Sequence, residues 1–500
     1  MTFPGCVRQN EGMRRFILLV AMVCGVGLAA SPQTPTAPPQ QTPAPPQRQQ
    51  TRLSLGTPAT GVVHASVTVI ADPSNSYALY LPLAYSPVKR WPLLLVFDPF
   101  ARGEVSVKLF HEAAEKYGFI VVGSNNSRNF QDPSAAIRLL WEDVKVSYAI
   151  DPRRIYTAGL SGGARVASSV ALACTRCIAG VIANGAGLPQ GASTPGPEVA
   201  DWFLVAGTTD FNYPEQLHLK EALDALNAAS RFVVYDGQHN WMPKEFAERA
   251  LAWLQLRAMV KGLAPLDKEF TGQQFDSRLA EAQAAQKSGD LPAATRDYRE
   301  IAQDFRTLRD VKEQEASAKS LAESEEFRKA RKNEKAALDL QDEVATKIGN
   351  LVAGIGQRSD ERAAYVAQLQ SAVNNAYRDE RERSNPARKQ AIERGLASAF
   401  AYAAESGQQA MLKKDYLAAK DMFQAGEIIL PESAWASYLL ATAHAQLGEK
   451  KQAIQELKKA LEKGMTNAKA LEDSAFDRIR EDQGFKEITQ KVSSGGSKQP

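Results

Sequence analysis

The stretch Asp151-Pro152-Arg153-Arg154-Ile155-Tyr156-Thr157-Ala158-Gly159-Leu160-Ser161-Gly162-Gly163-Ala164-Arg165-Val166-Ala167 decides how this chain is read. Ile155 to Ala158 has strand character, Ala164 to Ala173 reads as a helix, and Gly159-Leu160-Ser161-Gly162-Gly163 between them is a G-x-S-x-G. Five such common residues recur by accident, so the pentapeptide gains meaning from the strand before it and the helix after it. A turn this sharp strains the serine backbone and leaves no room for side chains beside it, which is why glycines flank it. The helix begins directly behind Ser161, so its N-terminal amides, Gly162 first, face any oxyanion that forms there.

Outward from this turn, short apolar strands alternate with helical stretches from about residue 61 to residue 263, the pattern of a mainly parallel sheet covered by helices. The strands expected are Val62 to Ile70, Tyr77 to Leu81, Pro92 to Phe97, Phe119 to Val122, Arg154 to Ala158, Ile178 to Ala183, Trp202 to Val205 and Arg231 to Tyr235. Asp72-Pro73-Ser74-Asn75 between the first two is a turn composition, so these two should form an antiparallel hairpin at the sheet edge. Continuous apolar runs such as Leu93 to Phe97 suit strands covered on both faces.

A serine hydroxyl needs a neighbouring base before it is a useful nucleophile. Of five histidines, His64 falls in the first edge strand, His111 and His218 in helical stretches, and His444 far along the chain. His239 stands in Asp236-Gly237-Gln238-His239-Asn240-Trp241, just past the last strand, where a loop can carry an imidazole over the serine. The acid that orients it should lie between serine and histidine in sequence. Asp210, at the carboxyl end of the strand Trp202 to Val205, is the first choice; Asp236 is the second, and Asp201 precedes its strand at the wrong edge.

The segment Asp151 to Cys174, together with Asp210 and the Gly237 to Trp241 loop, resembles the secreted esterase and polyhydroxybutyrate-depolymerase-like branch of the α/β hydrolases. The resemblance covers roughly residues 60 to 260. It implies an eight-stranded sheet, an acyl-serine intermediate on Ser161, proton shuttling by His239 and orientation by Asp210. One departure concerns the oxyanion hole. Many relatives carry His-Gly after the third strand, whereas this chain has Asp98-Pro99-Phe100-Ala101-Arg102-Gly103, and proline offers no N–H. The second donor beside Gly162 would then be Phe100 or Ala101, and Asp98 would repel an oxyanion unless it turned away or paired with Arg102. Asn125, Asn126 and Ser127 read as a polar turn or as lining for the acyl pocket.

Beyond residue 263 the strands stop, and Ala, Glu, Lys, Gln and Arg carry apolar residues at helical spacing through about residue 492. Ala419, Phe423 and Gly426 recur 34 residues on as Ala453, Leu457 and Ala460, resembling tetratricopeptide repeats; Tyr416 and Pro431 fit the same repeat. Gly289, Leu291, Ala294, Tyr298 and Ile301 form a further, out-of-register copy, and Arg306 to Arg394 reads as long helices. Residues 493–500 read as a disordered tail.

At the other end, Arg14-Arg15 precedes an apolar run Phe16 to Leu28 closed by Ala29-Ala30-Ser31, so residues 1–30 read as a signal peptide or an uncleaved anchor, with Met13 an alternative start. Residues 31–60, rich in Pro and Gln, form a linker. The expected location is periplasmic or secreted, with membrane attachment only if the apolar segment is retained. Cys174 and Cys177, the cysteine pair outside that segment, are read as a local disulfide or two buried thiols.

A formal charge of +3 over 500 residues gives no electrostatic case for nucleic acid. No metal-binding or phosphate-loop pattern occurs, and no cofactor is expected. The sequence therefore leads to a serine hydrolase acting on esters, polymer-linked or bulky, since about 48 residues between Ser161 and Asp210 leave no space for a long lid. Its helical repeats would recruit a substrate or a protein partner. The alternatives are a serine peptidase and a catalytically lapsed scaffold serving as a binding platform.

Overall fold

The structure, a computed structural model, describes residues 56–357, 360–382 and 385–495. The signal or anchor segment, with Cys6 and Cys24, and nearly all of the Pro/Gln-rich linker lie outside the described residues. Eight strands form one sheet: β1 (Val63–Thr68), β2 (Ser76–Tyr80), β3 (Trp91–Phe97), β4 (Ile120–Ser124), β5 (Ile150–Leu160), β6 (Gly180–Asn184), β7 (Asp201–Gly207) and β8 (Ser230–Tyr235). Their order is β1-β2-β4-β3-β5-β6-β7-β8, with β1–β2 and β2–β4 antiparallel and every other pair parallel. This is the α/β-hydrolase arrangement. The expected hairpin is present, with β1 at the edge.

The helices that come after the strands are α1 (Gly103–Tyr117), α2 (Ser134–Ser147), α3 (Gly162–Ala173), α4 (Tyr213–Ala225) and α5 (Lys244–Val260). On one face of the sheet Val107 and Phe110 of α1 and Ala247, Leu251 and Trp253 of α5 join Leu94, Val96, Tyr156, Ala158 and Phe203 in a single apolar core. Side chains alternate along a strand, so Thr157 points the other way, and its hydroxyl donates to the Ala167 carbonyl of α3 at 3.0 Å. From β3 the chain goes to one side for β4 and to the other for β5. The crevice outside the carboxyl ends of β3 and β5 is therefore where an open α/β sheet binds ligands.

Packing does not break where the composition changes at residue 263. The first compact unit takes in the described residues up to Thr208 and Asn212–Ala330. It includes α6 (Lys268–Ser288), α7 (Leu291–Phe305) and α8 (Lys312–Glu323), whose Phe275, Tyr298, Ile301 and Phe305 share a core with Leu256 of α5. A buried ionic seam fastens them. Glu300 accepts the Phe232 N–H at 3.0 Å and lies 3.3 Å from Lys220 Nζ, and Asp304 accepts from Trp253 Nε1 at 2.8 Å and from Arg278 at 2.5 Å. Arg257 bridges Asp304 and Asp201, each at 3.3 Å. The boundary expected at residue 263 follows the point where strands give way to helices, but these charges bind the first helices beyond it to the sheet.

The second unit comprises Thr209–Phe211 and the residues from Arg331 onward. Its helices are α9 (Glu325–Gln357), within which the boundary falls, α10 (Arg362–Glu382), α11 (Pro386–Leu412), α12 (Tyr416–Ile429), α13 (Ala434–Leu447), α14 (Lys450–Glu462) and α15 (Gln483–Gly495). Ala419, Phe423, Ala453, Leu457 and Ala460, which carry the 34-residue period, are all buried in one core with Phe476 and Ile488. A Cβ on Gly426 would meet the Phe400 ring at 3.2 Å, so that position takes only a small residue. The disordered tail expected from residue 493 is corrected in part: α15 continues to Gly495, and residues 496–500 lie outside the described residues.

Candidate active site

Ser161 sits at the β5–α3 junction with φ 55° and ψ −122°, a conformation that non-glycine residues adopt only under constraint. The constraint is visible around it. The Ser161 N–H donates to the Asn184 carbonyl at 2.9 Å, a Cβ on Gly159 would fall 2.2 Å from the Gly163 carbonyl, and one on Gly163 would fall 2.0 Å from the Phe97 carbonyl. Gly159 and Gly163, two of the three glycines of the pentapeptide, are thus dictated by backbone packed on backbone. The Ser161 carbonyl accepts from Ala164 and Arg165, which leaves the N–H groups of Gly162 and Gly163 as the open donors of the first turn of α3. Among the described residues the Ser161 hydroxyl takes part in no hydrogen bond.

Asn184, at the end of β6, holds the histidine loop to this elbow. Its Nδ2 donates to the Asn240 carbonyl at 3.2 Å and its Oδ1 accepts from the Met242 N–H at 2.8 Å, while its own carbonyl holds Ser161. Tyr235 clamps the same loop, its hydroxyl reaching the carbonyls of Gln238 and Asn240 at 2.9 Å each. Gly207 makes room for it, since a Cβ there would lie 2.3 Å from the Gly237 carbonyl. His239 is half-buried within this loop. His64 bonds the Ala59 carbonyl, His111 lies on α1, His218 on α4, and His444 on α13 against Glu449.

The two acids proposed for the histidine differ in setting. Asp236 is exposed and accepts from the Thr208 hydroxyl at 3.1 Å. Asp210, three residues beyond β7, is fully buried and belongs to the short segment grouped with the second unit. Asp98 is buried at the end of β3 and turned into a cage of its own: Arg102 meets both its oxygens at 2.9 Å, and Trp241 Nε1 donates to Oδ2 at 2.8 Å. The carboxylate that would have repelled an oxyanion is therefore paired.

The same cage removes the expected second donor. The Phe100 N–H points to Asp98 Oδ1 at 2.8 Å, the Ala101 N–H to the Asp98 carbonyl at 3.0 Å and the Arg102 N–H to Asp98 Oδ1 at 3.4 Å. Phe100 is corrected as an oxyanion donor on that ground, because Asp98 folds the turn back on itself. Asn125, Asn126 and Ser127 are structural: Asn125 and Asn126 brace the β1–β2 hairpin through Ala65, Ser74 and Ser76, and the Ser127 N–H donates to Ser124. Cys174 and Cys177 form a disulfide just after α3. Among the described residues no cluster of His, Cys, Asp and Glu could hold a metal ion, and no helix is long and apolar enough to cross a membrane.

No known family model and no curated protein sequence matches the chain. Solved structures similar to it include S-formylglutathione hydrolase from Staphylococcus aureus, at 14% identity and a TM-score of 0.33, covering 40% of this chain and 98% of that one. The feruloyl esterase module from Clostridium thermocellum, complexed with sinapinate, aligns at 18% identity and a TM-score of 0.32 over 44% and 95% of the two chains. An esterase from Pyrobaculum calidifontis aligns at 14% identity and 0.31 over 42% and 90%.

Proposed function

We propose that this protein is a serine hydrolase that cleaves carboxylic esters through an acyl-serine intermediate. Ser161 Oγ attacks the ester carbon as its proton passes to the His239 imidazole, and the Gly162 N–H stabilises the oxygen that gains charge. The intermediate collapses by expelling the alcohol, which takes the proton from His239; water, activated by the same imidazole, then releases the acid. Asp210 is the acid that orients His239, by its place after β7, between serine and histidine in chain order, and by its burial.

The observation that carries this reading is the strained Ser161 backbone, φ 55° and ψ −122°, at the mouth of α3. Backbone strain of about 1–3 kcal/mol persists where the surroundings over-determine it, and here it exposes a hydroxyl to the open end of the sheet rather than burying an apolar side chain. The helical unit, read as tetratricopeptide-like, serves to recruit a bulky substrate or a partner protein, and the N-terminal segment directs the chain out of the cytoplasm.

A second reading, a scaffold whose chemistry has lapsed, is favoured by the Ser161 hydroxyl lacking a hydrogen bond to His239. Catalytic hydrogen bonds often tighten only with substrate present, so the two readings part on reactivity. A fluorophosphonate probe should label the protein, and Ser161→Ala should lose both the label and turnover of p-nitrophenyl acetate while melting at the same temperature. A well-folded wild type that takes no label sinks the hydrolase reading and leaves the scaffold.

A further inference from the structure

We propose that the side-chain amide of Asn129 is the second oxyanion donor, partnering the backbone N–H of Gly162; this rests on Ser161 being the nucleophile. The turn after β3, where a backbone donor would be sought, has none to offer. Pro99 lacks an N–H, and those of Phe100, Ala101 and Arg102 all end on Asp98.

The next segment of chain at that edge does have one. A Cβ on Gly162 would fall 1.9 Å from Asn129 Oδ1, 2.8 Å from its Cγ and 3.1 Å from its Nδ2, so the amide occupies the space that any other residue at position 162 would fill. The glycine after the nucleophile is required by the amide that lies on it. This amide stands beside the peptide whose N–H faces the developing charge.

Asn129 is held there through its backbone. Its N–H donates to the Pro99 carbonyl at 2.9 Å, Phe100 and Arg128 form an isolated antiparallel bridge, and the next residue, Phe130, is left-handed at φ 64°. With Ala101 at φ 59° and Ser161 at φ 55°, the β3 turn, the Asn129 turn and the nucleophile elbow each carry a non-glycine residue in that unfavourable region. Strain on three tied segments fixes a side chain that is not fixed by its own polar atoms. Among the described residues the Asn129 amide makes no side-chain hydrogen bond, although it carries two donors and an acceptor and is half-buried.

A half-turn of the amide exchanges Oδ1 and Nδ2 over Gly162 without moving the rest of the side chain. When Ser161 Oγ bonds to the ester carbon, the carbonyl oxygen takes up the electron pair, and Nδ2–H and the Gly162 N–H donate to it. Both donors are neutral, and the carboxylate of the β3 turn, Asp98, is held by Arg102 and Trp241.

The test separates this proposal from the assignment of Ser161 on which it rests. Fluorophosphonate labelling of the full chain at Ser161 decides the nucleophile first; without it the parent reading fails whatever Asn129 does. Given a label, Asn129→Ala should lower kcat for p-nitrophenyl acetate by about 10²–10³ with KM nearly unchanged, the loss seen for a single oxyanion-hole donor. Affinity for an aryl trifluoromethyl ketone, whose serine adduct carries an oxyanion, should fall by a similar factor. Asn129→Asp, of the same size but without donors when ionised, should do the same if the alanine variant folds poorly. A labelled enzyme in which the folded variant keeps kcat within threefold, or loses activity through KM alone, overturns the role of Asn129.

Discussion

Two polar regions of the first compact unit are built on opposite terms. At the carboxyl ends of β3 and β5, polar groups stand open: the Ser161 hydroxyl, the Asn129 amide and the leading N–H groups of α3. Under α6 and α7, polar groups are charged, buried and met by opposite charge, with Arg231, Arg257, Arg278 and Lys220 facing Asp201, Glu300 and Asp304. An open polar group keeps its hydrogen-bonding capacity for a ligand. A buried pair has spent it, and losing either partner leaves a charge in a place that cannot solvate it.

The largest expected effect breaks the second region outright. A fragment ending at Leu263 keeps all eight strands but strips Lys220, Arg231 and Arg257 of Glu300 and Asp304, and leaves the Phe232 N–H without its acceptor. Each buried pair broken from one side costs about 3–5 kcal/mol, against a total stability of about 5–15 kcal/mol for a domain. Residues 56–263 should therefore fail to give a soluble protein with a cooperative melt. Residues 56–330, which keep the seam, should melt cooperatively. Matching melts for the two fragments would show the seam to be dispensable.

This boundary shows where sequence reading stops. All eight strands were legible, most of them as apolar runs and the edge strand β1, Val63-His64-Ala65-Ser66-Val67-Thr68, ahead of a turn, although β5 begins at Ile150 rather than Arg154, since Asp151 to Arg154 extend the strand with polar residues. The seam was not legible. Residues 264–330 share their Ala, Glu, Lys, Gln and Arg composition with the second unit, and nothing local marks Glu300 as a partner of Phe232, 68 positions away. Around Ser161 the same limit holds. The strand-turn-helix pattern announced the elbow, whereas Asn184 and Asn129 act through contacts distant in sequence, Asn184 with Met242 and Asn129 with Gly162. The polar turn after β4 is legible at Asn125 to Ser127, just before the asparagine that reaches the elbow.

The next effect sharpens the first region. If Asp210 orients His239, Asp210→Asn should keep the shape and still lower kcat by about 10⁴, because the amide favours the wrong imidazole tautomer. Asp236→Asn should cost less than tenfold, since that carboxylate is exposed and bonded to the Thr208 hydroxyl. Steady-state kinetics on p-nitrophenyl acetate checks both, and the reverse order would transfer the role to Asp236.

The smallest expected effect asks whether the seam is held by charge or merely by shape. Burial alone would raise the Asp304 carboxyl, but Arg278 and Arg257, with the Trp253 N–H, more than offset it and hold it below its ordinary value of 3.8. A carboxyl depressed in the fold contributes stability above its unfolded value and loses it as pH falls through the folded one, because the unfolded chain takes the proton first. Neighbouring Glu300 runs the other way: burial, opposed first by Lys220, leaves its carboxyl raised, so protonation favours the fold there. The acid response of the wild type therefore mixes two signs, and Asp304→Asn isolates one. At pH 7 this variant should melt lower by on the order of 10 °C, as expected for a buried pair broken from one side at about 2–4 °C per kcal/mol. Trp253, fully buried and bonded to Asp304, gives a fluorescence reporter at the site itself. As pH is lowered from 7 to 3, past the ordinary value of 3.8, the wild type should begin to lose the advantage that its charged Asp304 supplies, and the gap between the two melting temperatures should narrow. A gap that stays constant over that range would mean that Asp304 works by packing and hydrogen bonding, and the contrast between a charged seam and an open polar site would have to be redrawn.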